Sequence, residues 1–239
     1  MKIENDWNGE VNYRLERIGD LRDPRYLGAV VLFDCDSGGN KVVSNEKKMS
    51  VDGEDPFFYY IEQEDRSAGV QVRVLGTSPA PTRGAKASFK GQFQIDGAGN
   101  YIVDTTVAGG YCNLTPGGPI VAPLSLTNKA VAGGESTGGA GTPNAGLLAT
   151  VWGKVSDKAI DPDTGTISFN LDDGSTASDG SALLVKVYDY AFDGLMTAQP
   201  VNGQYWKATG IITLEKDLTT SDIKRTLVID GKNAQLTVP

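Results

Sequence analysis

Apolar and polar residues alternate with a period of two over many short stretches, and those stretches are rich in β-branched and aromatic side chains. No run of about a dozen residues places its apolar positions at the spacing of a helix face. The pattern predicts an all-β chain. Strands are expected at 27–34, 57–62, 69–75, 86–95 and 101–107 in the first half. In the second half they are expected at 147–155, 166–171, 183–188, 204–214 and 226–229, with a tail strand over 234–238. The stretch before residue 27 reads weakly, either as a short helix near 13–20 or as an extra edge strand.

The two halves repeat one another. FFYYIEQEDRSAGVQVRV (57–74) aligns with ISFNLDDGSTASDGSALLVKV (167–187), each an apolar strand, an acidic turn and a Val-rich strand. ASFKGQFQI (87–95) aligns with YWKATGIITL (205–214), each with a glycine in mid-strand, where a small barrel must bend or bulge to close. Five strands per half is the count of the OB barrel, so the expected fold is two tandem five-stranded OB-type Greek-key barrels. The first is expected over 1–130, with an N-terminal arm and an insertion at 36–55. A Gly-rich connector, VAGGESTGGAGTPNAG, follows over 131–146, and the second barrel occupies 147–239. Fully extended, that connector spans roughly 50 Å at about 3.3 Å per residue.

Several blocks occur in a familiar order: FFYYIEQEDRSAGVQVRV, KASFKGQFQIDGAGNYIVDT, APLSLTNKAVAGG, GLLATVWGKVSD, LDDGSTASDGSALLVKV and GQYWKATGIITLE. Together, over roughly residues 55–215, they resemble the tandem OB-like segments of large secreted or surface-displayed bacterial proteins. The resemblance implies the fold and its duplication. It carries over no catalytic residue, because barrels of this type hold nucleic acids, sugars and proteins alike.

Composition narrows the chemistry. The chain of 239 residues has 30 glycines and 11 prolines, a turn-rich balance, and no apolar run long enough to cross a bilayer. Its first residues lack the apolar core of a signal peptide, so an extracellular location presumes a leader removed before Met1. The formal charge of −8 is shared about equally between the halves, which disfavours nonspecific nucleic-acid binding. There is no histidine, so Ser-His-Asp and Cys-His nucleophile systems are unavailable, and no GxxxxGK[ST] phosphate loop exists. Cys35 and Cys112 are either a disulfide pair or two separate small thiols.

Two constellations remain. On the second and third strands of the first barrel, Phe58, Tyr60, Gln71 and Arg73 are expected to face outward, rings beside a cation, which suits a base or a sugar; the plainer alternative is that Phe58 and Tyr60 are covered by the segment 36–55 or by the other barrel. The matching residues of the second barrel, Ser168, Asn170, Leu184, Lys186 and Tyr188, make a weaker platform. The turns holding Asp161, Asp163, Asp172 and Asp173 offer the hard oxygen ligands that calcium prefers, although an ordinary hairpin turn is the reading the pattern favours. No other cofactor is implied. The first functional expectation is a non-enzymatic extracellular structural or adhesive protein that assembles with copies of itself or with other surface proteins. The alternative is a binding module for single-stranded nucleic acid or oligosaccharide through the first barrel.

Overall fold

A computed structural model describes residues 2–5, 11–48, 56–75, 83–163, 165–189, 200–229 and 234–236. The alternating stretches become strands of two units, Met1–Ala122 and Pro123–Pro239. In the first, the strands are β1 (Lys2–Asn5), β2 (Val11–Leu15), β3 (Val30–Phe33), β4 (Lys41–Lys48), β5 (Pro56–Gln63), β6 (Gly69–Leu75), β7 (Lys86–Ile95), β8 (Tyr101–Asp104) and β9 (Tyr111–Thr115). In the second they are β10 (Leu124–Ser125), β11 (Leu148–Ile160), β12 (Ile167–Asp172), β13 (Val185–Asp189), β14 (Tyr205–Lys216), β15 (Ile223–Ile229) and β16 (Ala234–Leu236).

Both units close in the same way. In the first, β4, β5 and β6 pair antiparallel, β6 runs parallel to β8, β8 pairs antiparallel with β7, and β7 returns to β3 and β4. In the second, β11, β12 and β13 pair antiparallel, β13 runs parallel to β15, β15 pairs with β14, and β14 returns to β11. Each is a closed five-stranded OB barrel. Inward positions fill it: along β12 burial alternates strictly, and along β7 it alternates until the last turn. Phe33 stacks on Phe89 at 4.8 Å inside the first barrel, and Phe169 meets Trp206 edge-on at 6.1 Å inside the second.

The mid-strand glycines are explained by a close approach. A Cβ on Gly91 of β7 would lie 2.4 Å from the Asp104 carbonyl oxygen, and one on Gly210 of β14 would lie 2.3 Å from that of Val228. The repeat also reaches beyond the five strands. β2 runs parallel to β3 as β10 does to β11, and β9 flanks β7 as β16 flanks β14.

Two expectations are corrected, and one pair of alternatives is decided. The first barrel's opening strand is not simply 27–34, and residues 36–55 are not one insertion. β3 pairs with β7, the chain makes an excursion over 34–40, and β4 resumes the same strand, touching β7 at Val42↔Lys86 before passing to β5. Lys41 and Gln63 hold that excursion: the ammonium donates to the carbonyls of Ser37 and Gly39, and the Gln63 amide to those of Gly38 (2.8 Å) and Gly39 (3.0 Å). The Gly-rich segment 131–146 is not a loose tether, because it packs within the second unit. Val131 and Ala132 are fully buried, the Asn144 amide donates to the Ala130 carbonyl at 2.7 Å, and Arg225 donates to Thr137 at 2.6 Å. Cys35 and Cys112 are separate thiols. Cys35 follows β3, on one edge of β7, and Cys112 lies in β9 on the other edge, so about two strand spacings separate their backbones, beyond disulfide reach.

Candidate ligand-binding face

The four residues singled out in the first barrel do meet on one side of β5 and β6. Phe58 pairs with Arg73 and Tyr60 with Gln71, while Arg73 also faces Asp104 of β8. They do not form an open platform. Tyr60 is only 2% exposed, and Phe58 is half-buried. Tyr59 and Tyr60 are both buried where β4 carries a bulge between Val43 and Asn45, with Ser44 donating to the Tyr60 carbonyl at 3.0 Å. Strict alternation fails there. Arg73 lies 3.5 Å from Asp104, whose carboxylate also accepts from the Thr106 hydroxyl at 2.6 Å. The cation is thus already neutralised.

An open aromatic face exists instead on the second barrel, on strands other than those of the weaker platform at Ser168–Tyr188. β11 and β14 pair with Thr150↔Thr209, Trp152↔Lys207 and Lys154↔Tyr205. Their inward partners, Val151, Gly153, Trp206, Ala208 and Gly210, are buried, so period two turns the named six outward. Trp152 is 56% exposed and Tyr205 45%, with ring centroids 6.5 Å apart and planes tilted by 36°. The result is a checkerboard: each ring has a lysine beside it, one strand over. Thr150 and Thr209 bond to each other at 2.6 Å and fix the far end. A shallow depression of about 730 Å³ covers this face, lined by the two rings, Lys207, Ser125, Thr127 and Thr150.

The face is peculiar to the second barrel. Val31 pairs with Gly91 as Ala149 pairs with Gly210, which fixes the correspondence between barrels. In the first barrel Asp34 takes the place of Trp152, Lys86 that of Tyr205 and Ser88 that of Lys207. Asp34 is bound by the Arg14 guanidinium, with Nε at 2.8 Å, and Lys86 by Asp36 at 2.8 Å. Those charges cancel within the fold. The matching signal in the sequence was the alternation of Trp152 and Lys154 against Tyr205 and Lys207, on the first and fourth strands.

The second barrel's β12 and β13 face, together with the β14–β15 hairpin, borders a groove of about 780 Å³. Several of its charges pair internally. Lys224 binds Asp217, the Tyr188 hydroxyl donates to Glu215 at 2.6 Å, and Lys186 sits 4.7 Å over the Tyr188 ring. The acidic turns are likewise occupied by backbone. Asp161 accepts from the Asp163 N–H, Asp172 from that of Gly174, and Asp173 from those of Ser175 and Asn128, all at 2.8–2.9 Å. Among the described residues no group of three or more potential metal ligands comes together.

The topology and this face together define a two-barrel OB protein with an exposed surface of rings and lysines on β11 and β14. No family model and no curated protein matches the chain. Among solved structures it is similar to a murine DNA binding protein bound with ds DNA, with 10% identity and a TM-score of 0.37, covering 78% of this chain and 91% of that one. It is also similar to fission yeast Pot1 with ssDNA, with 8% identity and a TM-score of 0.37, covering 83% and 78%. At those values the likeness says nothing about what this chain binds.

Proposed function

We propose that the chain is a non-enzymatic binding module that holds an extended polymer on the outer face of β11 and β14. The observation that supports this is the pair of solvent-exposed rings, Trp152 and Tyr205, beside Lys154 and Lys207. Flat apolar rings left in water cost solvation, and a ligand presenting its own flat faces, a base or a sugar, recovers it by stacking. This favours the binding reading over self-assembly, for which no comparable feature stands out among the described residues. The site moves from the first barrel, where Tyr60 is withdrawn, to the second. The lack of any histidine also favours a binder over a hydrolase of the Ser-His or Cys-His kind.

The test is titration with single-stranded oligonucleotides and with neutral oligosaccharides, followed by tryptophan fluorescence. Binding lost in Trp152→Ala and kept in Tyr60→Ala is the expected outcome. Binding lost in Tyr60→Ala alone, or no binding of either class, overturns the assignment.

A further inference from the structure

Resting on that reading, we infer that the ligand of the Trp152/Tyr205 face is a single-stranded nucleic acid, with two bases on the rings and phosphates on Lys154 and Lys207. Rings apart, the residues lining the depression are Lys207, Ser125, Thr127, Thr150 and apolar Leu126, an ammonium and three hydroxyls; Gln235 of β16 pairs with Lys207 at the edge of the face. Sugar hydroxyls both donate and accept, and a face that selects a neutral glycan presents acceptors fixed for them. Phosphodiester oxygens only accept. The Lys207 ammonium and the three hydroxyls can all donate to them.

Charge placement agrees. The second unit is acidic as a whole, yet in the described strand registers no carboxylate residue stands opposite Trp152, Tyr205 or Lys207. Asp172 of β12 stands opposite Lys154, and its Oδ1 is held by the Gly174 N–H at 2.8 Å. Neither Lys154 nor Lys207 makes an ion pair among the described residues, whereas Lys86 and Arg14 at the corresponding face of the first barrel do. Two free cations interleaved with two rings therefore form one local site in an otherwise repulsive surface, and such a site takes a short single strand at one copy per chain. Duplex is excluded from it, because stacking on Trp152 and Tyr205 needs unpaired base faces.

The experiment compares four probes on the full chain by fluorescence and calorimetry: an oligothymidylate, the same strand annealed to its complement, inorganic polyphosphate, and a neutral oligoglucoside. The expected result is one oligothymidylate per chain. Affinity should fall roughly 5- to 150-fold in Trp152→Ala. Lys207→Gln should lower the slope of log affinity against log salt by about 0.7. Because Trp152 is exposed, its replacement leaves the barrel folded, and circular dichroism checks this; Tyr205→Ala provides a second, independent ring deletion. Oligoglucoside binding that needs Trp152, without oligothymidylate binding, overturns the nucleic-acid inference while leaving the platform intact. Polyphosphate or duplex binding equal to that of the single strand, indifferent to Trp152 and Tyr205, overturns the stacking. Silence with every probe overturns both this inference and the binding reading.

Discussion

Arg66 Nε lies 3.0 Å from the carboxylate of Glu62, whose side chain is completely buried at the end of β5. Arg66 takes a left-handed backbone conformation, φ 64°, in the β5–β6 turn, and its guanidinium also donates to the Ala122 carbonyl. Burial lowers the Arg66 pKa, and the Glu62 charge works against that shift. A buried pair of this kind contributes little net stability, but removing one partner strands the other. Arg66→Met should therefore destabilise the chain by about 3–5 kcal/mol in urea unfolding. Adding Glu62→Gln should restore a large part of the loss. Equal stabilities for Arg66→Met and the native chain would show that Glu62 relies on other partners.

The close approach at Gly210 makes a second prediction. Gly210→Ala would place a methyl group 2.3 Å from the Val228 carbonyl oxygen, so β14 and β15 must separate locally. The cost should be about 1–3 kcal/mol or more, as for other overpacked interiors. Gly97→Ala is the control, since nothing lies within 4 Å of its added Cβ and its φ is not positive. Thermal unfolding should show a lowered midpoint for the first variant and little change for the second. A tolerant Gly210→Ala would mean that the mid-strand glycine is dispensable for closure.

Alternation and repeat made the five-strand barrels legible, because each core strand carries buried residues at every second position, as in Ile167, Phe169 and Leu171. β4 was hidden because KVVSNEKK is mostly charged and polar and follows a Gly-rich turn, so a strand interrupted by an excursion read as an insertion. The segment 131–146 misled through composition. Glycines there serve tight packing: a Cβ on Gly133 would lie 1.9 Å from the Thr142 carbonyl oxygen. The exposed rings were misplaced for a different reason. Phe58 and Tyr60 announce rings on the second strand, and the alternative that 36–55 covers them holds for Tyr60, which is buried beside the β4 bulge at Val43–Asn45. Trp152 and Tyr205 are far apart in sequence, and only the register of β11 on β14 brings them together.

Alkaline pH should act on the first barrel through two groups of opposite sign. Lys41 has no exposed surface, and burial pushes its pKa from 10.5 down to about 8. Between those values the unfolded chain binds more protons, so this group adds stability as pH rises from 8 to 10.5. The gain is at most ~3 kcal/mol, since the Ser37 and Gly39 carbonyls favour the charged form. Burial pushes the Cys112 thiol the other way, up to about 12 from 9.0, so its contribution is lost as pH rises through that interval. Net stability should rise between pH 8 and 9 and then flatten. In Lys41→Met the rise should vanish, and in Cys112→Ala it should continue past 9. Parallel profiles for the three proteins in urea unfolding would contradict these assignments.

At acid pH the sensitive element is the β14–β15 hairpin. Asp217 binds the Lys224 ammonium and accepts from the backbone N–H groups of Thr219 (2.7 Å) and Thr220 (3.2 Å), closing the turn before Ser221 enters its left-handed conformation at φ 62°. Those partners, Lys224 foremost, hold its pKa down at about 2 from 3.8. A depressed carboxylate stabilises above its unfolded pKa, and the contribution is lost as pH falls from about 4 through 2. The hairpin should therefore open over that window, seen as chemical-shift changes and loss of exchange protection at the Thr219 and Thr220 amides, while the barrel strands stay protected. Lys224→Met should move the Asp217 titration upward, towards the ordinary carboxylate range, and carry the hairpin transition with it. A titration of Asp217 unchanged in that variant would show that the backbone N–H groups alone set its pKa and that the ion pair is incidental to the turn.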